Sequence, residues 1–314
     1  LCIICRGLFV LNYSTMWRIT LGVSLFIFLV ACSNERSNDD IEIYSQQIDT
    51  LIKGQKPNQA VVVIDSILQV NNFSSSEKGI LLCKKGQKLL LQQKHKEANI
   101  FLNEALNIFA NNGYSEYEAK LYLFLGSSNA SLSKKEKATE QLLKALSISE
   151  EIDDKALEAK IYNSLAHIHY MHSDFEKAVD YLIKASKVQE LDKDYDALSA
   201  SYNNLAVIYK NTNDLKKAKT YNLKSLELNK RLSNKNGIAM SYNNLGLVEE
   251  LMQNRTRARK YFQDAISINS QNNFLNSSPL RNIGSMYLKE SRQHLATISN
   301  HILLVCFQNF SVRS

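Results

Sequence analysis

The side chains able to do chemistry in this 314-residue sequence are few, and their spacing argues against most of what they could do. His167, His169 and His172 form H-x-H-x-x-H. Imidazoles bind metals and carry protons. On a helix, metal-binding pairs sit at i, i+4, whereas the positions here run i, i+2, i+5. These histidines are expected to pack or to face solvent. Cys2 and Cys5 make one C-x-x-C, without the second pair or the histidine that a zinc site requires. Cys83 and Cys306 stand alone, and a buried thiol is the expectation for each. No Gly-rich phosphate loop, no H-E-x-x-H and no G-x-S-x-G occurs. No catalytic residue, metal or cofactor is assigned, and the expectation is a protein that is not an enzyme.

Composition narrows the elements that could position any site. Ten Gly and two Pro are roughly 3% and under 1% of the chain, where about 7% and 5% are usual. Tight-turn β-sandwiches and Pro-rich linkers are disfavoured. At 45% hydrophobic and 22% charged the chain is too apolar for disorder. Helices joined by polar loops fit these counts. The net charge is +7, but lysines sit beside acidic residues throughout, as in Lys134-Lys135-Glu136-Lys137. That is a solvated helix surface; no basic stripe interleaved with aromatics points to direct nucleic-acid binding.

A forty-residue period runs along the chain. Gly86, Gly126, Ala166, Ala206 and Gly246 lie on it, as do Ala98, Ala138, Ala178, Ala218 and Ala258. Ala105, Ala145, Ala185, Ser225 and Ala265 form a third row, and Tyr122, Tyr162, Tyr202 and Tyr242 a fourth. Phe101, Tyr181, Tyr221 and Tyr261 form a fifth, with Gln141 as its one departure. Further units at an offset of thirty-eight carry Gly284 with Ala296 after the set, and Ala60 before it.

Each unit reads as two helices. In the third, Ala156 to Met171 places Ile161, Leu165 and Ile168 on one stripe. A second helix from about Asp174 to Leu191 turns Ala178, Tyr181, Leu182, Ala185 and Val188 inward. Ser133-x-x-Glu136 and Ser173-x-x-Glu176 have capping-box spacing. Asn112-Gly113 and Asn236-Gly237 mark turns between units. The small residues at 86/126/166/206/246 allow close helix approach, with the Ala row at 98/138/178/218/258 as the matching recess. A lone hairpin of this size cannot cover its apolar faces and must stack on a neighbour.

This pattern resembles the tetratricopeptide repeat. Tyr202-Asn203-Asn204-Leu205-Ala206-Val207-Ile208-Tyr209 fits the family's first helix, and Ala218-Lys219-Thr220-Tyr221 with Ser225 its second. Tyr242-Asn243-Asn244-Leu245-Gly246 is as close. The resemblance covers about 41–290 and implies an all-α, right-handed α-α superhelix of about six to seven helix hairpins. The forty-residue length and Tyr-Asn-Asn-Leu look like the subset found in kinesin light chains, LGN-type polarity adaptors and bacterial Rap-type regulators. The family's usual Pro after the second helix is missing in nearly every unit, and the last unit stops matching after Ala296.

In such a superhelix the first helix of each unit lines the concave face. Asn163 lies on the side away from Leu165 and shares a stripe with His167 and Tyr170. The equivalents are Asn203, Val207 and Lys210, then Asn243, Leu247 and Glu250, with Arg281 in the place of Asn in the last unit. An Asn amide both donates and accepts. The resemblance implies that this row pairs with the backbone of an extended peptide while the varied neighbours read its side chains. Equally, these Asn can bond to neighbouring helices and hold the superhelix together. A repeated Lys/Asn pair of the carboxylate-clamp kind is not present.

The start of the chain reads as a targeting segment. After Met16, Trp17-Arg18 supplies a positive charge and Ile19 to Val30 is almost wholly apolar. That length suits a signal core and is too short for a confident bilayer span. Leu29-Val30-Ala31-Cys32 resembles a bacterial lipobox, which implies lipidation at Cys32 and removal of 16–31. The expected organisation is 1–15 as a mis-annotated upstream segment, 16–31 as a lipoprotein signal peptide, and 32–40 as lipidated Cys and polar tether. A solenoid over 41–290 and an irregular tail over 291–314, the mark of a truncation or frameshift, complete it. The expected address is the periplasmic side of a bacterial membrane, with Ser33 compatible with the outer one. Two functions fit: a lipid-anchored interaction scaffold whose concave face holds a protein or peptide, or the truncated sensory region of a signalling protein, either a histidine kinase or a helix-turn-helix regulator.

Overall fold

A computed structural model describes residues 73–110, 115–268 and 278–289, with residues 61, 62, 64, 65, 67, 68 and 291. The targeting segments 1–15, 16–31 and 32–40, Cys32 with them, lie outside these residues, as do Asn112-Gly113, Ala296 and all of the tail except residue 291. Among the described residues all regular structure is helical. The chain divides into two compact units, one up to Tyr117 and one from Glu118.

In the first unit α1 (Ser75–Leu91) and α2 (His95–Ala110) form a hairpin. A capping box opens α1: the Ser74 hydroxyl accepts from the Glu77 amide, and Glu77 accepts from the Ser74 amide at 2.6 Å. Leu102 fills the space against Gly86, where a Cβ would lie 2.5 Å from its side chain.

The second unit stacks hairpins. α3 (Ser115–Ser131) leads into α4 (Lys135–Glu151). Next come α5 (Lys155–Met171) with α6 (Phe175–Leu191), and α7 (Tyr195–Asn211) with α8 (Leu215–Arg231). α9 (Lys235–Leu251) and α10 (Arg255–Ile268) follow, then a helix over 278–289.

The period has a simple origin. Helices α3 to α9 each have 17 residues, and three residues join each to the next. Two helices and two joints make forty. Every joint is the same device, within and between hairpins alike. Its middle residue is left-handed: Ser133, Asp153, Ser173, Lys193, Asn213, Ser233 and Gln253 have φ of 54–63°. Its third amide reaches back five residues into the helix, as Asp194 does to the Gln189 carbonyl at 2.9 Å. This is a Schellman closure, in which Gly usually holds the left-handed position. None of these seven is Gly, which is part of why the chain has so few.

The third joint residue then caps the next helix. Asp154, Asp174, Asp194, Asp214 and Asn234 accept from the amide three residues on. The capping boxes expected at Ser133 and Ser173 are not formed. Those serines are the left-handed residues, Asp174 caps α6, and Lys134 opens α4 without a side-chain cap. Asn236-Gly237 is likewise no turn; it sits in the first turn of α9, with the joint at 232–234.

The core follows the expected stripes. Ile161, Leu165 and Ile168 are buried with Leu123, Ala138 and Leu142. Ala178, Leu182 and Ala185 are buried on α6, with Tyr181 and Val188 half-buried. The small row meets large residues rather than the Ala row itself: Gly126 abuts Leu142, and Gly246 abuts Phe262. The Ala row contributes its backbone, the Ala138 carbonyl lying 3.2 Å from a Cβ placed at Gly126.

Candidate functional site

The first helices of successive hairpins lie side by side, and polar side chains cross from each to the next. Asn163 Oδ1 on α5 stands 3.1 Å from the Ser201 hydroxyl of α7, which also lies 2.8 Å from Gln189 Oε1. Asn203 Oδ1 on α7 accepts from Asn244 of α9 at 2.7 Å. Asn243 Oδ1 accepts from Asn282 of the following helix at 2.9 Å. The one Ser201 proton serves Gln189 or Asn163, so of the expected row Asn203 and Asn243 use their carbonyls to bind the next unit. Their NH2 groups make no hydrogen bond among the described residues. Of the two roles open from the sequence, these bonds show the one that joins neighbouring helices. Outside the row, Asn211 donates to the Tyr170 hydroxyl at 2.9 Å, and Lys289 pairs with Glu250 at 2.6 Å.

Two hollows open beside this ladder. One, of about 110 Å³, lies between α5 and α7. Ala166, Leu182 and Ile208 line its apolar part, and Asn163, His167, Tyr170, Asn204 and Val207 complete it. Thus the structure brings four of the expected residues, Asn163, His167, Tyr170 and Val207, into one pocket. The other hollow, between α7 and α9, holds Asn203. Four expected residues line neither. Lys210 is half-buried, Asn243 serves the ladder, and Arg281 is exposed on the last helix. Leu247 packs inward on the cluster of Ala258, Phe262 and Met286. Sequence reasoning missed Asn204, which lines both hollows, and the donors Asn244 and Asn282. The signal was present, since Asn204 and Asn244 are forty apart and Asn282 follows at thirty-eight.

The histidines separate as their spacing requires. His167 is exposed at the pocket, and His172 is exposed. His169 turns into the hairpin, stacks on Tyr181 with centroids 5.5 Å apart, and donates to Asp174 at 3.0 Å. Burial acts to raise the Asp174 pKa, but the hydrogen bonds from His169 and the Lys177 amide outweigh it and hold the carboxyl below its ordinary range. Glu249 behaves alike: burial pushes it up, while Lys219 at 2.6 Å and Asn254 at 2.8 Å pull it further down. Burial raises the phenols of Tyr162, Tyr202 and Tyr209. Cys83 is a buried thiol. No helix among the described residues is long and apolar enough to cross a membrane.

Residues 119–152, 157–231 and 196–271 match models of the tetratricopeptide repeat. The chain carries tetratricopeptide repeats. No curated protein matches it by sequence. Among solved structures it is similar to apo RapI, at 14% identity and TM-score 0.62, over 82% of this chain and 72% of that one. NprR in complex with its cognate peptide NprX gives 18% identity and TM-score 0.59, over 90% and 82%. BtubC from P. vanneervenii gives 21% and 0.57, over 73% and 91%. At such identities the likeness establishes the fold, an all-α tetratricopeptide solenoid. The forty-residue unit of this solenoid comes from its 17-residue helices and not from long connections.

Proposed function

We propose that this protein is an interaction scaffold that holds a protein or peptide segment on the concave face formed by α5, α7 and α9, and that a lipid on Cys32 tethers it to the bacterial envelope, facing the periplasm. The observation that carries the first part is the pocket of Asn163, His167, Tyr170 and Val207 with its apolar floor, beside a ladder in which the amide donors of Asn203 and Asn243 make no hydrogen bond among the described residues. Backbone carbonyls of an extended segment suit such donors. The similar NprR structure holds a cognate peptide, which supports the same use of the fold here. The order of charge, apolar run and Ala31-Cys32 supports the tether.

A photo-crosslinking side chain at Val207, on the pocket, tests the face against one at Lys187, exposed on α6. The reading expects a discrete crosslinked partner from position 207 only. The same products from both positions would reject it. Labelled palmitate should enter the protein and be lost in Cys32→Ser; label retained in that variant rejects the tether.

A further inference from the structure

We infer that the segment held on this face combines an aliphatic side chain with a basic one a few residues away. This rests on the peptide-binding reading above. The two hollows flank α7 and share Asn204, so one bound chain can use both.

The α5/α7 pocket selects by size. At about 110 Å³ it is smaller than the roughly 150 Å³ cavity that admits a benzene ring. A Leu, Ile, Val or Met side chain matches this volume better than an indole does. The floor residues Ala166, Leu182 and Ile208 offer only carbon to such a group, while His167 and Tyr170 can meet the backbone at the rim.

The α7/α9 cleft selects by charge. It is wider, about 680 Å³. Its deep wall is a closed polar cluster: Ser199, Ser225, Asn229 and Ser241 are all nine-tenths or more buried and bonded to one another. The only charged side chains on its lining are Asp194 and Asp196. Neither forms an ion pair among the described residues, and Asp194 spends one oxygen on the Ala197 amide. Lys193 and Lys235, next to its walls in sequence, do not line it. An ammonium or guanidinium complements this lining, and a carboxylate is repelled. Neighbouring helix axes lie about 8–10 Å apart, and an extended chain advances about 3.3 Å per residue. The two side chains are therefore about two to three residues apart.

The test selects displayed random linear peptides on the full chain, on Asp194→Asn/Asp196→Asn, and on Val207→Trp. Asn keeps the cap acceptor at 194, so the double variant retains α7; thermal melts check both variants. On the wild type, selected peptides should be enriched in an aliphatic residue and in Lys or Arg at a fixed short separation. The Asp variant should lose the basic preference, keep the aliphatic one, and bind a selected peptide about three- to ten-fold more weakly at low salt. Val207→Trp should lose the aliphatic preference. Peptides selected without a basic residue, or a basic preference unchanged in the Asp variant, would overturn this inference and leave the peptide-binding reading standing. No enrichment on the wild type would overturn both.

Discussion

In the α3–α4 hairpin, buried Asn129 donates to buried Gln141 at 2.8 Å. The same two grid positions hold His169 stacked on Tyr181 in the next hairpin, and Tyr209 stacked on Tyr221 in the one after, both at 5.5 Å. In the α3–α4 hairpin the change at one position is answered at the other. Gln141, the one departure from the aromatic row, is explained by Asn129. On the groove face the corresponding positions 167 and 207 hold His and Val at the pocket, whereas Leu247 packs inward on Ala258, Phe262 and Met286. The stack constrains enclosed positions and leaves those at a hollow free to vary. Where a side chain is enclosed, its partner must match it in polarity and volume. Where it borders a hollow, the next unit can differ, and the face acquires a pattern that a ligand can read.

The sharpest way to break this contrast is to truncate both kinds of position. Leu205 is fully buried, and Leu205→Ala should cost about 2–5 kcal/mol in denaturant unfolding. Val207→Ala, two residues on and half-buried, should cost about 1 kcal/mol or less. Equal losses would deny the distinction between the faces. Next in size is the buried polar pair. Asn129→Ala leaves Gln141 enclosed without its partner and should cost about 1–3 kcal/mol. The double change Asn129→Leu/Gln141→Phe, which copies Leu89 and Phe101 of the first hairpin, should recover most of that loss. Additive losses in this cycle would show that the two positions do not answer each other.

A smaller effect belongs to the joints. Lys193 holds φ 57° without the freedom of Gly, so Lys193→Gly should raise stability by up to about 1 kcal/mol. A lower melting temperature would contradict the strained closure. The mildest is acid sensitivity. Asp174, Asp214 and Glu249 have carboxyl pKa values below their ordinary ones, so their ionised forms favour the fold. That contribution is complete at neutral pH and is lost as pH falls below about 4, through the folded-state values. Urea midpoints at pH 7 and pH 3 should show the loss, and Asp214→Asn should shrink it while keeping the cap.

The period, the helix pairs and the core stripe of Ile161, Leu165 and Ile168 were legible because burial repeats with the helix. The joints were misread for a local reason. Ser173 and Glu176 have capping-box spacing, but the serine occupies the left-handed position, and the residue after it carries the cap. The decisive signal was a twenty-residue recurrence of Asp154, Asp174, Asp194, Asp214 and Asn234. The site was legible as a stripe and not as a set of bonds. Whether Asn203 meets Asn244 depends on how far one first helix slides along the next, and side-chain periodicity within a helix does not specify that offset.

The central claim is that the Asn ladder serves recognition more than stability. It is tested most directly by measuring thermal unfolding and partner affinity on the same variant, Asn203→Ala/Asn243→Ala, with the partner captured at position 207. The bonds lost to Asn244 and Asn282 are only partly buried, so water can replace them. The melting temperature should be nearly unchanged and the affinity about ten- to a hundred-fold weaker, at about 0.5–1.5 kcal/mol for each lost ligand bond. A sharply lowered melting temperature, with affinity per folded molecule unchanged, would contradict it.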